Sequence, residues 1–246
     1  STLLIKFDQF GCEEWSKSHY FHELLIESTF LENEVKGNYA NVFTYLEDNN
    51  LEPMWTLGVA EYDYDGNLLT FSSYGTESNY TPVQAKVLLD GGLIIVGSRH
   101  IGQGFGLRGF ALRIDINGTV LWDYTYGDVG AVELGNVLST VNIGPDGNYW
   151  IAGDVALEDP GTILIKLNDN GDLVSEQFNL LSLDVEQTDL ASTRLEFIND
   201  SIYIIGGTGW QYDALEHTVI ASFSTNGTQN WLYYSEPIQN VQDNRT

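Results

Sequence analysis

The sequence contains a single cysteine, Cys12, so no disulfide can form within the chain. No apolar leader of the kind a lipid-attachment site needs stands before Cys12, which reads as a half-buried residue at a hairpin. Lysine and arginine number 10 against 35 aspartates and glutamates, a net charge of −25. A surface this acidic repels nucleic acid and anionic membranes at long range, which excludes both as expected partners. No stretch approaches the roughly 20 apolar residues of a membrane-crossing helix, so no transmembrane segment is expected. Amphipathic helical segments are also missing, which rules out a parallel α/β fold. The four histidines, His19, His22, His100 and His217, match no zinc spacing with cysteine or carboxylate. No nucleophile elbow, phosphate loop or dinucleotide fingerprint occurs. Neither a metal nor a cofactor is therefore expected.

What the chain does have is a repeat. Residues 109–127, GFALRIDINGTVLWDYTYG, read as a strand, a tight turn at 116–119 and a second strand. Asn117 and Gly118 tolerate the positive φ angles that a tight hairpin requires. Four further copies begin at Leu3, Leu57, Thr162 and Thr218, and the turn glycines are Gly11, Gly66, Gly118, Gly171 and Gly227. Their spacings are 55, 52, 53 and 56 residues. A second unit sits between the copies: VLLDGGLIIVGS from Val87, VNIGPDGNYWIAGD from Val141 and LEFINDSIYIIGGT from Leu195, turning at Asp90, Asp146 and Asp200. A degenerate version starts at Asn33. Each period thus holds two hairpins, or four short strands, which is the sequence signature of a β-propeller blade. Two hairpins cannot bury a core alone, so separate small sandwiches are excluded.

The expected fold is all-β: a β-propeller of four-stranded blades, with about five recognisable repeats forming part of a six- to eight-bladed ring, the alternative being a closed five-bladed ring whose first blade has only two strands or borrows others from residues 21–45. Residues 1–235 read as the propeller and 236–246 as a polar tail. The first blade is incomplete, because residues 1–20 are the second hairpin of a blade, and sequence before Ser1 is expected to complete it. Residues 21–45 read as a loop running into a strand, and 47–53 and 76–82 as connections.

The pattern D-x-x-G-x-x-x-W occurs at Asp8/Gly11/Trp15 and Asp115/Gly118/Trp122, and in relaxed form at Ser224/Gly227/Trp231. Together with the preceding DGG and apolar run, it resembles the repeats of secreted and surface-attached bacterial β-propellers. It is also similar to the tryptophan-docking blades of quinoproteins and of the outer-membrane assembly lipoprotein with that fold. The resemblance implies a fold and a location outside the cytoplasm: cell-surface, outer-membrane associated or secreted. Thr70 and Ser175 stand where tryptophan is expected, which argues against a quinone enzyme. The three tryptophans are expected at equivalent positions, each packing toward a neighbouring blade.

The short turns fall at one end of each blade and the longer connections at the other, where function usually sits on a rigid scaffold. The long-loop end carries Trp55, Arg99, His100, Phe105, Arg108, Trp210 and Tyr212, residue types of which interface hot spots are made. The leading expectation is a non-enzymatic extracytoplasmic propeller binding a protein or glycan partner, as an accessory subunit of a larger surface or outer-membrane assembly. Charge reversal at Arg99 or Arg108 is then expected to weaken partner binding with little change in melting temperature. The alternative is a propeller hydrolase or lyase acting on a polysaccharide, with Glu158, Asp159 and Asp213 as the first carboxylates to test. Two acidic turns, Asp63-Tyr64-Asp65-Gly66 and NDNGD at 168–172, faintly resemble calcium loops but are adequately explained as hairpin turns.

Overall fold

A computed structural model describes residues 2–21, 25–48, 53–75, 78–101, 107–127, 136–155, 161–178, 191–199, 201–207, 218–226 and 228–234. The described residues form eighteen strands and no helix. They fall into two compact units, Ser1–Val132 and Glu133–Thr246.

The first unit opens with a two-stranded sheet of β1 (Thr2–Phe7) and β2 (Glu13–His19). Next comes a four-stranded sheet of β3 (Leu25–Asn33), β4 (Asn38–Asp48), β5 (Pro53–Tyr62) and β6 (Leu68–Tyr74). A second contains β7 (Ser78–Val87), β8 (Leu93–Ile101), β9 (Leu107–Ile114) and β10 (Val120–Tyr126). The second unit holds β11 (Asn136–Ile143), β12 (Tyr149–Val155), β13 (Gly161–Leu167) and β14 (Leu173–Phe178) in one sheet. Its other sheet is β15 (Ala191–Ile198), β16 (Ser201–Gly207), β17 (Thr218–Ser224) and β18 (Gln229–Tyr234). Every sheet is an antiparallel meander in chain order, the blade of a β-propeller. The β1–β2 hairpin matches the third and fourth strands of the other sheets by its distance from the turn glycine.

Three boundaries differ from the sequence reading. Residues 25–33 are a full strand, β3, rather than a loop, and β4 and β5 pair out to Asp48 and Pro53 across the supposed connection. Strand β7 begins at Ser78, inside another supposed connection. The first strands were hidden by a recurrent β-bulge, which breaks the alternation that betrays a strand. Register shifts fall between Ile26 and Ser28, Pro82 and Gln84, Leu138 and Thr140, and Ser192 and Arg194.

The turns also differ in kind. The 115–118 turn closes with the Gly118 N–H on the Asp115 carbonyl at 3.0 Å, and only Gly118 takes positive φ, at 82°. This is a type I turn followed by a left-handed glycine, not the two-residue turn that Asn-Gly suggests. The residue three before the glycine dictates it. One Asp115 carboxylate oxygen accepts the N–H groups of Asn117 and Thr119 at 2.9 and 2.7 Å. Asp8, Asp63 and Asn168 cap their own turns in the same way. Asp63, in the acidic run, is thus a turn cap, its oxygens turned to the N–H groups of Asp65 and Asn67. Cys12 donates its N–H to the Asp8 cap, and its side chain is exposed rather than half-buried.

A glycine in the second strand lies opposite the bulge. A Cβ on Gly97 would stand 2.1 Å from the Thr81 carbonyl oxygen, and one on Gly153 2.3 Å from that of Val137. This is the physical reason for the glycine that closes each DGG-type unit. A second bulge recurs between the third and fourth strands, at Lys6/Phe7, Glu61/Tyr62, Lys166/Leu167 and Ser222/Phe223 on the third strand and across Val120/Trp122 on the fourth. It sets Trp15, Trp122 and Trp231 opposite Lys6, Arg113 and Ser222, so the three tryptophans are equivalent in register. Trp15 packs against the core of the next sheet, while Trp231 is 44% exposed.

Cores form where sheets stack. Val59 and Leu57 of β5 pack with Phe110, Leu112 and Ile114 of β9; Leu164 of β13 packs with Ala221 and Phe223 of β17. Each fully buried leucine or phenylalanine contributes about 1.5–3 kcal/mol. Polar clamps tie one blade's fourth strand to the next blade's turn. The Tyr74 hydroxyl donates to the Gly118 carbonyl at 2.8 Å, and His19 Nε2 meets the Gly66 carbonyl at 2.9 Å from the equivalent repeat position. In the second unit Gln177 donates to the Asn226 carbonyl at 3.1 Å.

Within a blade, an ion pair ties the first turn to the third strand. Arg113 bonds Asp90 at 2.6 Å and Lys166 bonds Asp146 at 2.5 Å. In the β3–β6 blade the polarity is inverted: Glu61 occupies the repeat position of Arg113 and pairs with Lys36 of the first turn. Thr70, opposite Glu61 in register, donates its hydroxyl to it at 2.9 Å. A tryptophan there would face a carboxylate with its negative ring, so threonine is the better neighbour. At the other departure, Ser175, the Lys166 ammonium instead lies 4.8 Å from the ring centre of Trp150.

Four outcomes follow. Gly97→Ala, blocked by backbone, is expected to lose about 3 kcal/mol. Gly147→Ala, with φ 76° and open space around it, is expected to lose about 1–2 kcal/mol, both read by urea unfolding. Reversing Glu61→Lys alone should destabilise the chain, and adding Lys36→Glu should recover at least half the loss. Burial opposes ionisation of Asp146, but Lys166 and hydrogen bonds from Asn148 and Trp150 outweigh it and hold the carboxyl well below its usual range. A lowered folded pKa adds stability above the ordinary value near pH 4 that is lost as pH falls through the folded one. Asp146→Asn should therefore flatten the acid limb of the stability profile below about pH 4.

Candidate functional site

At the end of the β7–β10 blade away from its turns, β8 leaves and β9 returns. Antiparallel register sets Arg99 directly opposite Arg108, and His100 opposite Leu107. In a chain with ten basic side chains, two meet at one strand end. Arg99 is firmly held. Its Nη1 donates to the Tyr80 hydroxyl and to Asp123, both at 2.6 Å, and its guanidinium carbon lies 5.4 Å from the Tyr80 ring centre. The Tyr80 hydroxyl in turn reaches Asp123 at 3.1 Å. Burial, then the Asp123 carboxylate, push the Tyr80 phenol upward against the opposing pull of Arg99. Arg99 Nε is buried and has no hydrogen-bond partner.

The neighbouring blade joins the same end. Asn79, opposite His100 in register, accepts the Trp55 backbone N–H at 2.8 Å on its side-chain oxygen. Thr44 donates to the Tyr80 carbonyl at 2.9 Å. Trp55, Arg99, His100 and Arg108 are thus gathered at one end of two adjacent blades, opposite Gly118. Trp55 is half-buried and His100 exposed. Arg108 is 3% exposed, so reversing its charge would bury a carboxylate and lower the melting temperature. Phe105, Trp210 and Tyr212, with Glu158, Asp159 and Asp213, lie outside the described residues.

The sequence reading missed Tyr80, Asn79 and Asp123, which build this cluster. They sit within strands, where alternation reads as packing. It also missed a cleft of about 490 Å³ between the β3–β6 and β7–β10 blades, at the end where the short turns lie. Lys36, Glu61, Thr70, Tyr74, Asp115 and Asn117 line it. Its polar groups are largely engaged: Lys36 and Thr70 with Glu61, Tyr74 with Gly118, and Asp115 with its own turn.

Comparison with protein-family models and with curated proteins finds no match for this chain.

A double-mutant cycle reads the rigidity of the loop-end cluster. Arg99→Ala and Asp123→Ala are expected to couple by about 1–2 kcal/mol, since the side chains are 11% and 31% exposed and the bond is charge-assisted.

Proposed function

We propose that this chain is a non-enzymatic binding scaffold of propeller-type blades, acting outside the cytoplasm as an accessory subunit of a larger surface or outer-membrane assembly. Its recognition surface for a protein or glycan is the loop end carrying Trp55, Arg99 and His100. One observation carries the reading: Arg99 is fixed by Tyr80 and Asp123 beside an exposed His100, on two blades whose backbones are tied through Asn79. Held side chains lose little entropy when a partner arrives, and aromatic and arginine groups are the usual anchors of such contacts. The carboxylates of the loop-end cluster and of the turn-end cleft support binding over acid–base chemistry. Asp123 is neutralised by Arg99, Glu61 by Lys36, and Asp115 is consumed by its turn. The likeness of the D-x-x-G-x-x-x-W repeats to surface propellers supports the location.

The test is capture from the membrane or medium of the source cells on immobilised chain, alongside a glycan panel. A partner should be retained by the wild type and lost, by at least tenfold in affinity, with His100→Ala, an exposed position, at unchanged melting temperature. Release of sugar fragments from a polysaccharide would instead establish the hydrolase or lyase reading.

A further inference from the structure

Two junctions between neighbouring sheets of the first unit differ at one repeat position. Trp15 of β2 and Thr70 of β6 each stand four residues after their turn glycines, Gly11 and Gly66. At the first junction the Trp15 ring lies over Gly66 of the next sheet. A Cβ on Gly66 would stand 2.6 Å from the indole, and Gly66 is buried. At the second junction the equivalent glycine is Gly118, and no ring covers it. The nearest atoms to its Cβ position are the hydroxyls of Tyr74 at 3.1 Å and Ser72 at 3.6 Å. Otherwise the junctions match, because His19 and Tyr74 reach the Gly66 and Gly118 carbonyls from the same repeat position.

The cleft of about 490 Å³ lies where the ring is lacking, with Thr70, Ser72 and Gly118 on its wall. Its walls come only from the β3–β6 and β7–β10 sheets and their turns. A space of this volume is of the size that holds small molecules. Val59, Leu93 and Ile114 are buried at its base, and Leu69 and Ile116 are exposed. Asn38 also lines it. That side chain is 3% exposed, and its Oδ1 is buried without a hydrogen-bond partner. The charged residues of the cleft are Glu61 and Asp115 against Lys36 alone, a balance that favours a cation.

We propose that this cleft binds a small, flat, cationic heteroaromatic molecule of about the size of an indole, seated against Gly118 where a docking tryptophan would lie. The sister junction supplies the shape. The opposite strand supplies the charge: Trp15 and Trp122 face Lys6 and Arg113 in register, whereas Thr70 faces Glu61. An electron-rich ring is favoured beside a cation, and a positively charged ring beside a carboxylate. Ring N–H groups would donate to Glu61 and to Asn38 Oδ1, and charge strengthens such bonds. The proposal does not rest on the loop-end reading, since the cleft lies at the opposite end of the blades.

The probe is protonated aminobenzimidazole, an indole-shaped cation, titrated into the full 246-residue chain by calorimetry. Saturable binding of one molecule per chain is expected. Indole carboxylate, an anion of similar shape, should bind at least tenfold more weakly. Thr70→Trp, at an exposed position, places the chain's own ring in the cleft and should abolish binding. Leu69→Lys, also at an exposed position, should keep the melting temperature and weaken binding at least threefold. Absence of saturable binding at millimolar probe would overturn the proposal. So would equal affinity for the anion, or binding that a folded Thr70→Trp or Leu69→Lys chain retains in full.

Discussion

The structure depends on the burial of the inner strands on both faces. Phe110, Leu112 and Ile114 on one side of β9, and Ala111 on the other, are all at most 3% exposed. A lone four-stranded sheet cannot hide both faces, so each blade is stable only when stacked, as in other repeat architectures. Stacking sets the demands on everything else. Turns must come at fixed phase so that equivalent positions meet, and the capping Asp or Asn three before the glycine supplies that phase. Clamps such as Tyr74 to Gly118 then lock the phase of one blade to the next.

Charge is arranged under the same constraint. With 35 acidic residues against 10 basic, carboxylates outnumber the cations that could pair with them. Many are used instead as acceptors for turn N–H groups, which need no cation. Several basic side chains are spent inside the fold, at Lys36, Arg113, Lys166 and Arg99. The inverted Lys36–Glu61 pair shows that the repeat preserves the linkage between first turn and third strand rather than the sign of either end. The residue opposite changes with it, from tryptophan to Thr70.

Much of the fold was legible because the turns carry their own chemistry. Five glycines at nearly constant spacing, each with Asp, Asn or Ser three before, fixed the hairpins and their phase. Strand β3 was not legible, since LIESTFLEN places Glu27 and Ser28 at a bulge that interrupts the alternation. The loop-end site was half legible. Arg99 and His100 stand out as charges beside a glycine-rich stretch, but what holds Arg99 comes from β7 and β10, which are 19 and 24 residues away in sequence. Proximity across a sheet is set by register, which bulges alter. The cleft at the turn end was illegible for another reason: turn residues look fully explained by turning.

The surface charge limits what such a scaffold can recognise. At net −25 an anionic partner is repelled over roughly a Debye length, about 8 Å at physiological ionic strength. The exposed loop-end group, His100, lies beside an arginine whose charge is already answered by Asp123. Among the described residues that end offers an exposed imidazole and a half-buried indole beside an arginine already paired with a carboxylate. A neutral glycan would meet no electrostatic barrier, and a basic protein face would be drawn in at a rate that falls with salt. Salt dependence of association thus separates the two partner classes permitted by this surface.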